Sequence, residues 1–197
     1  MKQSLLFCLA VICTPAAWAQ PVSANDAAAA TVAAQRSEVR PELGGALLKA
    51  QRIGTGRLTV WGFQVYDARL WAQPGFRAVN FERAPLALEL SYLRAFKAEE
   101  VAERSIKEMR RSQPVSDAQA SRWIADMLRV IPDVRTGDRV MGVHTPGVGA
   151  AFWVNGKNSG EVQDAEFARL FFGIWLSPKT SEPKLREALL AGAPSGS

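Results

Sequence analysis

The stretch RLTVWGFQVYDARLW, residues 57–71, guides how the rest of the chain is interpreted. It has no proline, one glycine and many Val, Leu, Trp, Phe and Tyr residues, which favour a half-buried pleated strand. Apolar residues occupy both parities, so the pattern predicts a strand that is covered on both faces. Gly62 lies in the middle and indicates a bulge or a bend. The residues allow one long strand or two strand halves bent at Gly62.

The first residues have the pattern of a secretory signal peptide. Lys2 gives a positive start, an apolar run extends from Ser4 to Cys13, and Ala17-Trp18-Ala19 is a small-x-small cleavage site. The apolar run is shorter than the roughly 20 residues that span a bilayer. We therefore predict cleavage after Ala19 (signal peptide 1–19), a secreted, periplasmic protein, and no integral membrane segment in the mature chain.

Composition excludes several classes of site and partner. Both cysteines, Cys8 and Cys13, leave with the signal peptide, so the mature chain is predicted to have no disulfide and no thiolate nucleophile. The formal net charge is +5, and the basic residues form no run interleaved with aromatics. Such a run is typical of nucleic-acid binding, so we predict no nucleic-acid partner. The sequence does not specify an oligomeric state.

The mature chain divides into a flexible leader at 20–38 and one domain at 39–192. Alternation and turn residues predict a first strand at 43–53, a tight turn at Gly54-Thr55-Gly56, and further strands at 86–94, 139–145 and 150–154. Helical spacing and caps predict helices at 97–111, from the capping box at 116–119 to Pro132, at 164–175, and at 182–190.

This order of elements predicts an α+β fold in which helices are packed on an antiparallel sheet. Leu86, Leu88, Leu90 and Tyr92 alternate with Glu89 and Ser91, so the strand at 86–94 is expected to bury the first set and expose the second. We expect the core between sheet and helix to include Leu88, Leu90, Phe167 and Phe171.

Motifs for common catalytic and cofactor sites are absent. His144 is the only histidine, which excludes a histidine metal cluster, and a single histidine on a strand is more often structural than catalytic. The sequence contains no HExxH, P-loop, GxSxG or GxGxxG motif. We predict no metal site and no cofactor.

Four segments taken in order resemble the chalcone isomerase-like family. They are GTGRLTVWGFQVYDARLW, LALELSYLRAFKAEEVAERSIKEM, GDRVMGVHTPGVGAAFWVNGK and EFARLFFGIWLSPKTSEPKLREAL. The likeness extends from about Leu43 to Leu190. It implies an open-faced antiparallel sheet with helices packed on one side, forming a cleft for an apolar ligand.

The resemblance also implies where a ligand would lie. In plant enzymes of this family, an arginine and a threonine on early strands and a tyrosine and an asparagine on the first helix hold the chalcone. These positions fall at Lys49, Trp61, Lys97 and Arg104. None matches in residue type, so we predict no catalytic residue and treat the four as candidate ligand-binding residues. The family also includes plant members that bind fatty acids without catalysis.

The substitutions at these positions suggest a ligand chemistry. Lys97 and Arg104 are seven residues apart and share a helix face. Two cations bordering a cleft would receive a carboxylate better than a neutral ketone, and Trp61 would add an apolar wall. In the alternative interpretation, both cations point to water and pair with Glu100 and Glu103.

We therefore predict a non-catalytic binder of a small apolar or amphiphilic molecule, fatty acid-like and with or without a carboxylate. One alternative is an isomerase or intramolecular lyase acting on an unsaturated carbonyl compound. Another is a structural or interaction protein whose cleft is filled by its own side chains.

Overall fold

The computed structural model describes residues 40–44 and 47–194; the predicted signal peptide and leader lie outside them. The strands are β1 (Gln51–Val60), β2 (Phe63–Ala72), β3 (Leu86–Tyr92), β4 (Arg139–Thr145), β5 (Gly149–Val154) and β6 (Lys157–Val162). The helices are α1 (Ala98–Ser112), α2 (Asp117–Val130), α3 (Ala165–Leu176) and α4 (Pro183–Leu189). Short 3-10 helices occupy Pro41–Leu43 and Ala78–Arg83. The strands form one sheet in chain order, and each neighbouring pair is antiparallel.

The stretch 57–71 is a β-hairpin. Val60 pairs with Phe63 across a two-residue turn formed by Trp61 and Gly62, whose φ angles are 49° and 83°. Two-residue loops with positive φ at both positions match the natural twist of the strands they join. The chain therefore reverses at Gly62, so the prediction of one long strand is wrong. The alternative of two strand halves meeting at Gly62 is correct in the position of the break, but the halves form a hairpin instead of a bend.

A bulge in β2 explains part of the mixed parity of its apolar residues; Trp71, beyond the bulge, has the opposite parity to Leu70 because it packs in a separate core. Leu58 pairs with Tyr66 and Thr59 with Gln64, so Val65 is an extra residue in the ladder. An extra residue shifts the alternation by one position. As a result, Val65 and Tyr66 both border the helix-covered side of the sheet.

The beginning of the domain differs from the prediction. β1 starts at Gln51 instead of residue 43, and it continues through Gly54-Thr55-Gly56, which was expected to be a turn. A Cβ on Gly54 would lie 2.4 Å from the carbonyl oxygens of Ala188 and Leu189 in α4. This glycine therefore allows a helix backbone to approach the strand, a tertiary use that local sequence does not distinguish from a turn.

The edge strand β6 was not predicted. The Asn155-Gly156 turn before it is correct, with positive φ at both residues. The strand itself has the sequence KNSGEV and is mostly exposed or half-buried. Because it lies at the sheet edge and carries few apolar residues, it lacks the alternation by which strands are detected.

The helices cover one face of the sheet, as predicted. Leu88, Leu90, Phe167 and Phe171 are all buried in the main core between the layers, which confirms that prediction. The predicted cap of α2 is also present, because the Ser116 hydroxyl accepts a hydrogen bond from the Gln119 amide at 3.2 Å. None of the described helices is both long and apolar enough to cross a bilayer.

The opposite face of the sheet is covered in part by residues that precede β1. Leu43 and Leu47 pack with Trp71, Met141 and others in a second, smaller core. The expectation that Glu89 is exposed is wrong, since its side chain is 0% exposed. Alternation along β3 correctly separates two faces, but the cover on this face comes from a segment distant in sequence.

Three arginines surround the buried carboxylate of Glu89. Arg40 Nη2 and Arg69 Nη1 donate to Glu89 Oε1 at 3.2 and 2.9 Å. Arg139 Nη1 donates to Oε2 at 3.1 Å and also pairs with Glu42. These contacts join the segment before β1 to strands β2, β3 and β4.

Candidate ligand-binding cavity

A cavity of about 460 Å³ lies between the helix-covered face of the sheet, α1 and α3. Its apolar wall combines strand, loop and helix residues: Leu58, Val60, Trp61, Phe63, Val65, Leu90, Phe96, Val101, Ile131, Val140, Phe171 and Ile174. A more open depression of about 620 Å³ lies between α1 and α2, but exposed Glu103, Lys107, Arg110 and Asp117 line much of it. The first cavity has the mostly apolar wall that small-molecule sites require.

The polar groups of the cavity are concentrated on α1. Arg104, Ser105 and Glu108 line it, and Glu108 lies one helical turn beyond the other two. Arg104 Nη2 contacts Glu108 Oε1 at 2.8 Å, while Arg111 Nε lies 3.7 Å from Oε2. Glu108 is only 8% exposed, and its Oε2 accepts no hydrogen bond from the described residues. The Ser105 hydroxyl donates to the Val101 carbonyl at 2.8 Å and is thus already satisfied.

Two tyrosines add hydroxyl groups to the sheet side of the cavity. The Tyr66 hydroxyl accepts a hydrogen bond from Trp175 Nε1 at 2.9 Å, and the rings of Tyr66 and Tyr92 are 6.0 Å apart, edge to face. Burial raises the pKa of both phenols well above the usual value for tyrosine. Both hydroxyls are therefore protonated at neutral pH, and they can act as hydrogen-bond donors.

A second guanidinium lies at the hairpin side of the cavity. Arg94 follows β3, and its guanidinium carbon is 5.0 Å from the centre of the Phe63 ring. No carboxylate among the described residues pairs with Arg94, unlike Arg104. The cavity thus has one cation that is neutralised by Glu108 and another that contacts an aromatic face.

The cavity and the sheet can be compared with known proteins. A model of the chalcone isomerase-like protein family matches residues 29–191 of this chain. The chain belongs to the chalcone isomerase-like family. It is also 32% identical over 141 residues to an uncharacterized protein of Haemophilus influenzae, covering 71% of this chain and 67% of that protein.

A solved structure of a fatty-acid binding protein of Arabidopsis thaliana has the same chalcone isomerase-like fold. It superposes with a TM-score of 0.55 over 77% of this chain and 94% of the plant chain, at 12% identity. At that identity the comparison establishes the fold and not the ligand.

Two of the four candidate ligand-binding residues border the cavity in this chalcone isomerase-like protein. Trp61 and Arg104 line it, Trp61 from the hairpin turn and Arg104 from α1. Lys97 is the residue before α1; its side chain is 70% exposed, and its ammonium lies 2.7 Å from the Asp133 carboxylate. Lys49 is exposed in the turn before β1. Neither lysine is among the described residues that line the cavity.

The pairing expected from the alternative interpretation is also different. Arg104 pairs with Glu108, one turn further along the helix, instead of Glu103 or Glu100. The carboxylate of Glu100 accepts from the Lys97 backbone amide at 2.8 Å and caps α1. The spacing of charges on the helix allows Arg104 several carboxylate partners. In the folded protein Arg104 pairs with the buried one, Glu108.

Sequence reasoning missed Arg94, Tyr66 and Glu108. Glu108 follows Arg104 at i+4, a spacing typical of solvated surface pairs. A signal was nonetheless present, because Glu108 stands beside Met109 on the apolar side of an otherwise charged helix. Arg94 has no comparable signal, since the fold of the hairpin alone brings Phe63 to it.

His144 lies apart from the residues that line the cavity. It is buried on β4 with its ring 5.1 Å from that of Phe172, and burial lowers the pKa of its imidazole. A neutral, buried imidazole packed on an aromatic ring is consistent with the structural role predicted for it. Among the described residues, no group of His, Cys, Asp and Glu side chains could hold a metal ion.

Proposed function

We propose that this protein binds an amphiphilic small molecule, fatty acid-like and with a carboxylate head, without transforming it. The observation that supports this most is a cavity of about 460 Å³ whose wall is apolar except for polar groups from α1, the two tyrosines, Arg94, Ser181 and Glu182. Ligand cavities typically measure about 300–1,000 Å³ and have few polar groups. The structural likeness to a plant protein described as fatty-acid binding supports the same proposal.

The carboxylate head group of the ligand would lie beside Arg104 and Glu108. A carboxylate entering beside Arg104 must share the guanidinium with Glu108, which already lies 2.8 Å from it. The two carboxylates would repel each other, while Arg104 would attract both. We therefore expect Arg104 and Glu108 to affect the binding of a fatty acid in opposite directions.

Replacement of Arg104 by methionine should weaken the binding of a fatty acid by about tenfold or more, because a hydrogen bond to a charged group is worth about 1.5–3 kcal/mol. Glu108→Gln should strengthen it several-fold, because two like charges about 4 Å apart repel by about 1 kcal/mol even in bulk water. The corresponding fatty alcohol should bind all variants alike. Titration calorimetry with both ligands at one ionic strength measures these differences.

The double variant Arg104→Met/Glu108→Gln is the matched control, since it removes both charges of this ion pair together. It should bind the acid and the alcohol with similar affinity, because neither charge that distinguishes the two ligands remains. If Glu108→Gln weakens the binding of the acid, Glu108 accepts a hydrogen bond from the ligand head group, and the proposal of a charged carboxylate head is wrong. If the unmodified protein binds neither ligand, the binding function itself is wrong.

An isomerase acting on an unsaturated carbonyl compound is the second candidate. Such an enzyme needs a proton-transfer group and a donor for the developing oxyanion, and Glu108, Arg104 and Tyr66 all line the same cavity. Turnover of an unsaturated ketone that disappears in Glu108→Gln would support it over a binder. A cleft filled by its own side chains is not favoured, because the described side chains leave the cavity open.

We also propose that the protein is exported to the periplasm and that the domain at 39–192 follows a signal peptide and a leader. The charged start, apolar run and Ala17-Trp18-Ala19 site support this proposal. N-terminal sequencing of the protein from a periplasmic fraction should give Gln20 as the first residue. Full-length protein that starts at Met1 in the cytoplasmic fraction would contradict it.

A further inference from the structure

The turn of the β1–β2 hairpin places an aromatic side chain where both backbone and solvent disfavour it. Trp61 is 94% exposed, the highest value among the large hydrophobic side chains of the described residues. Its φ of 49° lies in the left-handed region, which glycine and asparagine adopt far more readily than tryptophan. Neither packing nor turn formation explains this residue.

The hairpin between β5 and β6 shows what a two-residue turn of this kind normally requires. Asn155 and Gly156 join β5 and β6 with φ angles of 50° and 83°, nearly the values at Trp61 and Gly62. Asn-Gly is the preferred pair for such a turn. The two turns therefore share a conformation, and one of them carries tryptophan where asparagine would form it better.

The residues around Trp61 continue its apolar surface. Phe63 is 60% exposed beside it, and Val60 and Phe63 pair directly across the turn. Arg94 lies against the Phe63 ring and has no carboxylate partner among the described residues. The hairpin tip, residues 58–66, contains no acidic residue. Aromatic rings with an adjacent guanidinium are the groups that enter the interface between lipid head groups and acyl chains.

We propose that the hairpin tip docks on the surface of a phospholipid bilayer. Trp61 and Phe63 enter the interface, and Arg94 pairs with lipid phosphate. Both aromatic residues also line the cavity, so docking would open a continuous apolar path from the bilayer to the ligand site. That last step rests on the proposed function, whereas docking itself does not.

The experiment compares the mature protein and its variants in their binding to vesicles made of equal parts phosphatidylglycerol and phosphatidylcholine. The unmodified protein should sediment with the vesicles, and brominated lipid should quench its tryptophan fluorescence. Trp61→Asn should weaken vesicle binding by about tenfold or more, because one fully exposed aromatic side chain no longer enters the interface. Its melting temperature should equal or exceed that of the unmodified protein, since asparagine suits the turn.

Val148→Ser is the matched control. Val148 is 57% exposed in the β4–β5 turn, at the other end of the strands from the hairpin tip. This variant should bind vesicles like the unmodified protein. Equal loss in Val148→Ser and Trp61→Asn would contradict docking by the tip, and so would vesicle binding that Trp61→Asn leaves unchanged.

Titration of a fatty acid in lipid-free buffer separates this proposal from the proposed function. Because Trp61 lines the cavity as well as the hairpin tip, the fatty-acid titration uses the unmodified protein, and Trp61→Asn is assessed by vesicle binding alone. Vesicle binding without fatty-acid binding would leave docking intact and contradict the proposed function. Failure of the unmodified protein to bind vesicles, with self-association that Trp61→Asn abolishes, would overturn docking and identify a second copy as the occupant.

Discussion

Replacement of Glu89 by glutamine should lower the free energy of unfolding by about 3–5 kcal/mol, since a buried ion pair that loses one partner leaves an uncompensated charge. The Glu89 carboxylate is fully buried and contacts Arg40, Arg69 and Arg139, whose side chains are themselves only 21–27% exposed. Glutamine keeps the shape of the side chain but leaves three guanidinium groups around a neutral amide. The measurement is urea unfolding followed by circular dichroism.

The control is Asp117→Asn, which makes the same chemical change at an exposed ion pair. Asp117 lies 2.7 Å from Arg110, a distance as short as those at Glu89, but its side chain is 99% exposed. Exposed pairs are screened by water and contribute little. We therefore expect the unfolding midpoint of Asp117→Asn to remain close to that of the unmodified protein. A loss at Glu89→Gln of less than about 1 kcal/mol would show that the three arginines find other partners or water.

Truncation of Phe171 to alanine should cost about 3–5 kcal/mol, the usual range for a buried phenylalanine. Its ring packs against those of Phe152, Phe167, Phe172 and Trp175, with centroid distances of 5.4–5.5 Å. Aromatic pairs of this kind contribute beyond the area they bury. The side chain also lines the cavity, so its loss would enlarge the ligand site while loosening α3 from the sheet.

Ile174→Val provides the comparison within the same helix. Ile174 is half-buried and lines the same cavity, and loss of one methyl group there should cost about 0.5–1.5 kcal/mol. Urea unfolding of both variants tests the ranking. A cost for Phe171→Ala below about 1 kcal/mol would indicate that α3 contributes little to the core.

Several elements could be predicted because their signals are local. The alternation from Leu86 to Tyr92 depends only on the pleat of one strand, and the Ser116 cap depends on residues within one helical turn. The apolar spacing of Phe167 and Phe171 identifies the buried face of α3 without knowledge of its partner.

The errors arise where one local pattern serves two tertiary purposes. Gly54 and Gly56 were interpreted as a turn, yet they make room for α4 beside β1. Glu89 was expected to be exposed, yet the segment before β1 supplies Arg40 to pair with it. In each case the deciding partner is at least 40 residues away in sequence, so no short-range pattern contains it.

The sequence by itself determined the order of most strands and helices, and its resemblance to the chalcone isomerase-like family implied a cleft near Lys49, Trp61, Lys97 and Arg104. The order of the elements follows from periodicity and caps, which local chain geometry controls. Only the tertiary structure decided which groups meet in that cleft. It pairs Arg104 with buried Glu108, directs Lys97 to Asp133, and brings Arg94 onto Phe63. Ion pairs form where burial and strand register bring charges together, and side-chain spacing along one helix does not specify either.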